Sequence, residues 1–215
     1  MFGRVEGSKQ VINDSLGHLQ PGIYNDNEKN IFNYDSIDVG DKLTISGDSP
    51  KVSPKGTNDE TLLKQAPNSR VVIAGKEEIV RIVVDTSKNY LYTYDEKGEP
   101  TMVYLVATGD KSKGWQTDKG LRKIRHFENA PYENAYGTVR NANPEAFGPR
   151  IMYLEIVDPN TGEVSPSNGE FIHGNNDESS LGEYASHGCV RMDNDVVREI
   201  VDSGSIPAGS YVKII

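Results

Sequence analysis

The chain has 215 residues, enough for one ordinary domain and a smaller appendage, since folded domains run to roughly 100–200 residues. Hydrophobic residues make up 35% and charged residues 26%, so a core can form and the composition is not that of a disordered chain. With 23 basic against 32 acidic residues the formal charge is −9, a field that repels phosphate backbones and argues against nucleic acid, and no apolar run approaches the ~20 residues of a membrane span. The start, Met1 to Gln10, carries Arg4 and Lys9 but no apolar h-region, so the chain reads as an internal protein or as a mature form or fragment. One cysteine allows no internal disulfide.

Residues 1–70 are polar and rich in Asn and Asp, and the tract Ser49 to Asp59 sets Pro50, Pro54 and Gly56 among charges, so the segment reads as a small β-rich extension and linker. Within it, Ile37 to Ile45 alternates apolar and polar residues around Gly40-Asp41. That unit resembles the closing half of a LysM glycan-binding module, whose opening half is not recognisable here.

From 71 to 215 the pattern predicts a second, mainly β domain. Ile79 to Val84, Tyr90 to Tyr94 and Met102 to Val106 are β-branched or aromatic runs, and Asp95-Glu96-Lys97-Gly98 separates the last two as a hairpin turn. This predicts an antiparallel meander. Arg122, Lys123 and Arg125 read as a solvated strand face. Further strands are expected at Ile151 to Val157, Glu170 to His173 and Tyr211 to Ile215. The turn Asp158 to Gly162 is not a calcium loop, because its glycine comes one place early and the closing Glu is missing. One helix is signalled by Asp193 or Asn194 as cap, the stripe Val196, Val197, Ile200 and Val201, and Gly204 as stop. The expected fold is mainly β, a curved sheet or sandwich with one or two short helices.

The chemistry concentrates in Phe171-Ile172-His173-Gly174 and Ser186-His187-Gly188-Cys189-Val190-Arg191-Met192, which hold the only cysteine. A thiolate attacks carbonyl carbon, so a nucleophilic cysteine needs a neighbour that takes its proton or lowers its pKa. His187 stands two residues before Cys189, and His173, sixteen residues upstream, ends an expected strand and can return opposite it. Gly188 permits close backbone approach, which makes the Gly188 and Cys189 amides candidate oxyanion donors. Zinc binding by His173, His187 and Cys189 is the weaker reading, since no fourth ligand is evident.

These residues resemble the L,D-transpeptidase catalytic domain, the YkuD family of bacterial cell-wall enzymes, whose signature is His-Gly, a loop, then Ser/Thr-His-Gly-Cys, an apolar residue and Arg or Asn. The likeness runs from about Ile79 to Ile215 and includes the ending Ile206 to Ile214. It implies a curved β catalytic fold and a cysteine acyl transferase that needs no cofactor or metal. Cys189 would attack a peptidoglycan tetrapeptide stem and expel the terminal D-Ala. His173 would act as base and acid, oriented by a carbonyl near Gly174, and Ser186 and His187 would shape the pocket. Arg191 would hold the loop or a substrate carboxylate, with pairing to Asp193 or Glu199 as the alternative. Thr117 would contact substrate; Tyr153, Trp115 and Tyr184 are aromatic candidates for stacking on it, a core or surface place being the commoner role of each. The acyl-enzyme would pass to an amine, giving a 3-3 cross-link, or to water in an L,D-carboxypeptidase; a catalytically silent wall-binding module is the third reading. The resemblance also implies acylation by carbapenems and an extracytoplasmic location, in the periplasm or cell wall. Two departures stand out: the family's Thr-Pro-x-Gly is represented only by Thr117 and Gly120, and Asn175 follows His173-Gly174 where Thr or Ser is usual.

Overall fold

The computed structural model describes residues 51–130, 132 and 144–215. The LysM-like segment 37–45 lies outside them. In chain order the strands are β1 (Arg70–Ile73), β2 (Lys76–Asp85), β3 (Tyr90–Tyr94), β4 (Pro100–Leu105), β5 (Thr108–Gly109), β6 (Gly120–Asn129), β7 (Arg150–Val157), β8 (Val164–His173), β9 (Tyr184–Ser186), β10 (Val190–Arg191) and β11 (Tyr211–Ile214). The helices are α1 (Glu60–Leu63) and α2 (Asn194–Ser203), with short 3-10 turns at Lys111–Lys113, Pro144–Phe147 and Glu178–Ser180.

Strands β2, β3 and β4 form the expected antiparallel meander, with Val84 opposite Leu91 and Leu91 opposite Tyr104. The main sheet runs in the order β10-β8-β7-β6-β11-β2-β3-β4, with β1 added on β2. Two of its pairings are parallel, β11 on β2 and β10 on β8. The first joins segments far apart in the chain, which local pattern cannot foresee; the second is the return of the His173 strand toward the Cys189 segment, made in parallel rather than as a hairpin-like pairing. The sheet then curls until its ends meet: beyond β4, Ala107 bridges Arg191 of β10, with N–H to carbonyl distances of 3.0 and 2.9 Å in the two directions.

Both faces of the sheet are covered. Ile82, Val84, Leu91, Ile124, Met152, Ile172, Val190 and Met192 fill one cluster with Val196, Val197 and Ile200 of α2. Val80, Val83, Tyr92, Tyr94 and Val103 form the other with Val52 and Leu62. Each such side chain removed from water contributes roughly 2 kcal/mol. Helix α2 follows its sequence signals: Asp193 is the N-cap, accepting from the amides of Asp195 and Val196 at 2.9 and 3.2 Å, and Gly204 closes the helix in the left-handed region.

The tract read as linker is in contact with the sheet over its described part. Thr57 exchanges two 2.9 Å backbone hydrogen bonds with Val103, and Leu105 donates to the Ser53 carbonyl at 3.0 Å, so this segment covers the free edge of β4. Lys55 reaches Asp193 at 2.9 Å and Asp195 at 2.7 Å. The polar composition concealed this because the pairing uses backbone groups, to which composition is blind.

Arg122 corrects the solvated-face reading of the basic cluster. It is 4% exposed, and its Nε lies 2.6 Å from Glu170, while Lys123 is half-buried and Arg125 exposed.

Removing the cap tests the helix anchor. Asp193→Ala should lower stability by about 1–2 kcal/mol, read by thermal unfolding. Lys55→Ala, which removes only the exposed partner, should shift the melting temperature less.

Candidate active site

The meeting of the sheet ends places the signature residues. Strand β10 lies parallel to β8 with Val190 opposite Ile172 and Arg191 opposite His173. Val190 and Ile172 both face the core at 0% exposure, so strand alternation turns His173 and Arg191 to the other face. Cys189 comes one residue before β10, outside the strand. Two backbone bonds fix the junction: the Met192 amide donates to the His173 carbonyl at 2.8 Å, and the Gly174 amide donates to the Arg150 carbonyl at 3.2 Å.

His173 is buried, and its Nδ1 lies 2.6 Å from the Gly174 carbonyl. A carbonyl can only accept, so Nδ1 carries the proton and Nε2 keeps its lone pair. Phe147 packs on the ring at 4.8 Å between centroids. Burial pushes the imidazole down to about 4; the Gly174 carbonyl opposes this and the Arg191 charge adds to it. Cys189 is partly exposed as a residue, with Sγ 3.6 Å from the Gly169 carbonyl. Burial of the sulfur pushes its thiol up to about 11; the Phe171 backbone and Arg191 pull it down and Glu170 pushes it further up. At neutral pH the pair is therefore thiol and neutral imidazole.

The loop carrying Cys189 is held by hydroxyls. Ser186, 1% exposed, donates to the Cys189 carbonyl at 2.5 Å and accepts from the Gly188 amide at 3.1 Å. Thr117 accepts from the Gly109 amide at 2.9 Å and donates to the Gly188 carbonyl at 2.8 Å. Gly109 must be glycine, since an added Cβ would fall 1.9 Å from the Trp115 carbonyl oxygen. The Gly188 amide is thus already bound to Ser186 and would have to release it to serve an oxyanion, which leaves the Cys189 amide as the remaining candidate of the expected two.

The remaining expected residues are engaged in contacts of their own. His187 is exposed and stacks on Trp115 with centroids 3.9 Å apart. Tyr153 donates to Glu128, stacks on His126 at 4.2 Å and meets Phe171 edge-on at 4.8 Å. Thr117 is buried, its hydroxyl bonded in both directions within the protein. Arg191 pairs with neither Asp193, which binds Lys55, nor Glu199; its guanidinium forms no ion pair among the described residues. No cluster of three or more His, Cys, Asp and Glu able to hold a metal occurs among the described residues, and none of their helices is long and apolar enough to cross a membrane.

Sequence reasoning did not foresee the contacts of three residues here, Glu170, Arg122 and Asn175. Glu170 and Arg122 form a buried ion pair beside the thiol, and Arg122 also donates to the Asp118 carbonyl at 3.1 Å. Burial holds the Glu170 carboxyl above the ordinary range even against Arg122. The available signal was an acidic residue at the head of an apolar strand, which needs a partner. Asn175, 2% exposed, donates from its side chain to the Met192 carbonyl at 2.5 Å, and its backbone binds Asn194 through two 2.9 Å bonds. It clamps the end of β8 to the start of α2. Gly174 has to be glycine there, since a Cβ would lie 2.3 Å from Asn194 Oδ1.

A curled mixed sheet that sets the loop of Cys189 beside the strand ending in His173 defines a β-sheet protein with a candidate cysteine-histidine site. Residues 79–214 match the family model of the YkuD L,D-transpeptidase catalytic domain, and the chain belongs to that family. Among solved structures it is similar to Bd1075 of Bdellovibrio bacteriovorus, at 20% identity over 70% of this chain and 53% of that one, with a TM-score of 0.48. It is also similar to an L,D-transpeptidase of Enterococcus faecium, at 17% identity over 64% of this chain and 50% of that one, TM-score 0.45. For an L,D-transpeptidase of Mycobacterium tuberculosis the identity is 15% over 63% of this chain and 57% of that one, TM-score 0.43. The chain thus spans about half the length of these proteins. No curated protein matches it.

Two titrations follow. Because native His173 refuses a proton that the unfolded chain accepts, stability should fall as pH drops from 6.5 toward about 4, and His173→Gln should flatten that slope in urea unfolding curves. Glu170→Gln keeps an acceptor for Arg122 but removes the charge beside the sulfur, so the alkylation rate of Cys189 should reach half-maximum at a pH lower by roughly half a unit.

Proposed function

We propose that the protein is a peptidoglycan L,D-transpeptidase with Cys189 as nucleophile and His173 as its base. The observation that carries the reading is the parallel β8–β10 register, which sets the His173 and Cys189 segments side by side with Nδ1 of His173 tied to the Gly174 carbonyl. Family membership supports the same reaction class.

The resting charges set the order of events. Neutral thiol and neutral imidazole cost less inside the protein than a separated ion pair, so the proton leaves sulfur as the sulfur meets the substrate carbonyl. Sγ forms the bond to the carbonyl carbon of the third stem residue, Nε2 takes the thiol proton, and the oxyanion gathers at the Cys189 amide. Collapse breaks the bond to the terminal D-Ala, whose nitrogen receives the proton from the imidazolium, leaving a thioester. An acceptor amine from a second stem then attacks the thioester, loses its proton to Nε2, and releases the thiol and a 3-3 cross-link. Ser186 and Thr117 keep the Gly188-Cys189 backbone in place through these steps, and Arg191 faces a substrate carboxylate. The substrate places the work outside the cytoplasmic membrane.

Incubation with a disaccharide-tetrapeptide, followed by mass analysis, tests the proposal. A cross-linked dimer with loss of D-Ala supports it, tripeptide alone redirects it to hydrolysis, and unchanged substrate overturns it. Cys189→Ala should lose product formation by at least about a thousandfold while keeping the wild-type melting curve. A carbapenem should add its mass to the wild type and not to that variant.

A further inference from the structure

Beside the thiol loop lies a strip that the reaction above leaves unused. Strand β5 pairs in parallel with β9, Thr108 opposite Tyr184 and Gly109 opposite Ser186. The chain leaves β5 into the turn Lys111–Lys113, capped by Asp110 and closed by Gly114 in the left-handed region. Two backbone bonds anchor this turn: the Asp110 amide donates to the Ser186 carbonyl at 3.1 Å, and the Trp115 amide donates to the Asp110 carbonyl at 3.0 Å. The strip is therefore built from the backbone that holds Ser186, three residues before Cys189.

On this support two ammonium groups rest on aromatic rings. Lys113 Nζ lies 5.5 Å from the Trp115 ring centre and Lys111 Nζ 6.0 Å from that of Tyr184. Lys113 is shared with Asp110 at 3.0 Å, and Lys111 forms no ion pair among the described residues. Trp115 and Tyr184 are 39% and 42% exposed, and His187 backs Trp115 at 3.9 Å. Across the Ala107 bridge stands Arg191, likewise without an ion pair among the described residues. Cations held on exposed rings at the rim of a site, in a chain of charge −9, match a ligand with discrete negative groups and aliphatic stretches between them. A polyanion would meet the acidic remainder of the surface, whereas a short acidic peptide would not.

We propose that the Lys111–Lys113 strip, with Trp115 and Tyr184 as its floor, docks the free carboxylates of an acidic peptide. Resting on the function proposed above, this peptide is the substrate stem, and the strip favours stems with free carboxyl groups over amidated ones.

The protein's single tryptophan lies within the strip, so its emission reports occupancy without any turnover. The full chain is titrated at low salt with two synthetic tetrapeptides that differ only in one side-chain carboxylate replaced by a carboxamide. The carboxylate peptide should shift the emission with an affinity about fivefold higher, and added salt should erase the difference. Lys111→Glu, which breaks no ion pair, should bring the ratio to about one or below; Lys111→Glu/Lys113→Glu should push it lower still. Equal affinities in the wild type, an unchanged ratio in Lys111→Glu, or no response to either peptide would overturn the proposal. Turnover of the same peptides is scored separately, so a failed catalytic reading and a failed docking reading give different results.

Discussion

The site depends on the closure of the sheet on itself. The Ala107–Arg191 bridge joins the chain beyond β4 to β10 and makes the Cys189 loop part of a seam rather than of a free edge. An unpaired two-residue strand would hold a side chain poorly. Here β10 has β8 on one side and Ala107 on the other, and α2 begins three residues after Arg191. The Asn175–Asn194 clamp and the Lys55–Asp193 contact tie the same corner from two further directions. Loop precision follows from this convergence of backbone bonds.

The electrostatics of the corner are dominated by burial. It acts on His173 and Cys189 in opposite directions on the pKa scale but to one end, since both shifts favour the uncharged form. The charged neighbours are secondary: Arg191 favours the thiolate and Glu170 resists it, while Glu170 is itself held by Arg122. Breaking that buried ion pair from one side would leave an uncompensated charge, at a cost of about 3–5 kcal/mol.

Much of this was legible in the sequence where the signal is local. The α2 boundaries follow from a 3.6-residue stripe with Asp193 and Gly204 at its ends, and β2, β3 and β4 from β-branched and aromatic runs broken by turn residues. What escaped depends on partners distant in the chain. Arg122 read as solvated because nothing near it announces Glu170, 48 residues later. The pairing of Thr57 with Val103 engages main-chain atoms and leaves no compositional trace. The His-Gly and Ser-His-Gly-Cys segments pointed to the family, whereas the engagement of the Gly188 amide by Ser186 is a matter of turn geometry that spacing does not encode.

A sulfur kept protonated at rest has a consequence for durability. Oxidation to sulfenic acid, and onward to irreversible acids, proceeds through the thiolate. With its thiol pushed up to about 11, Cys189 presents oxidants with very little of the reactive form, and no second cysteine exists with which it could close an internal bridge. The burial that favours the neutral thiol is thus also what limits its exposure to this chemistry.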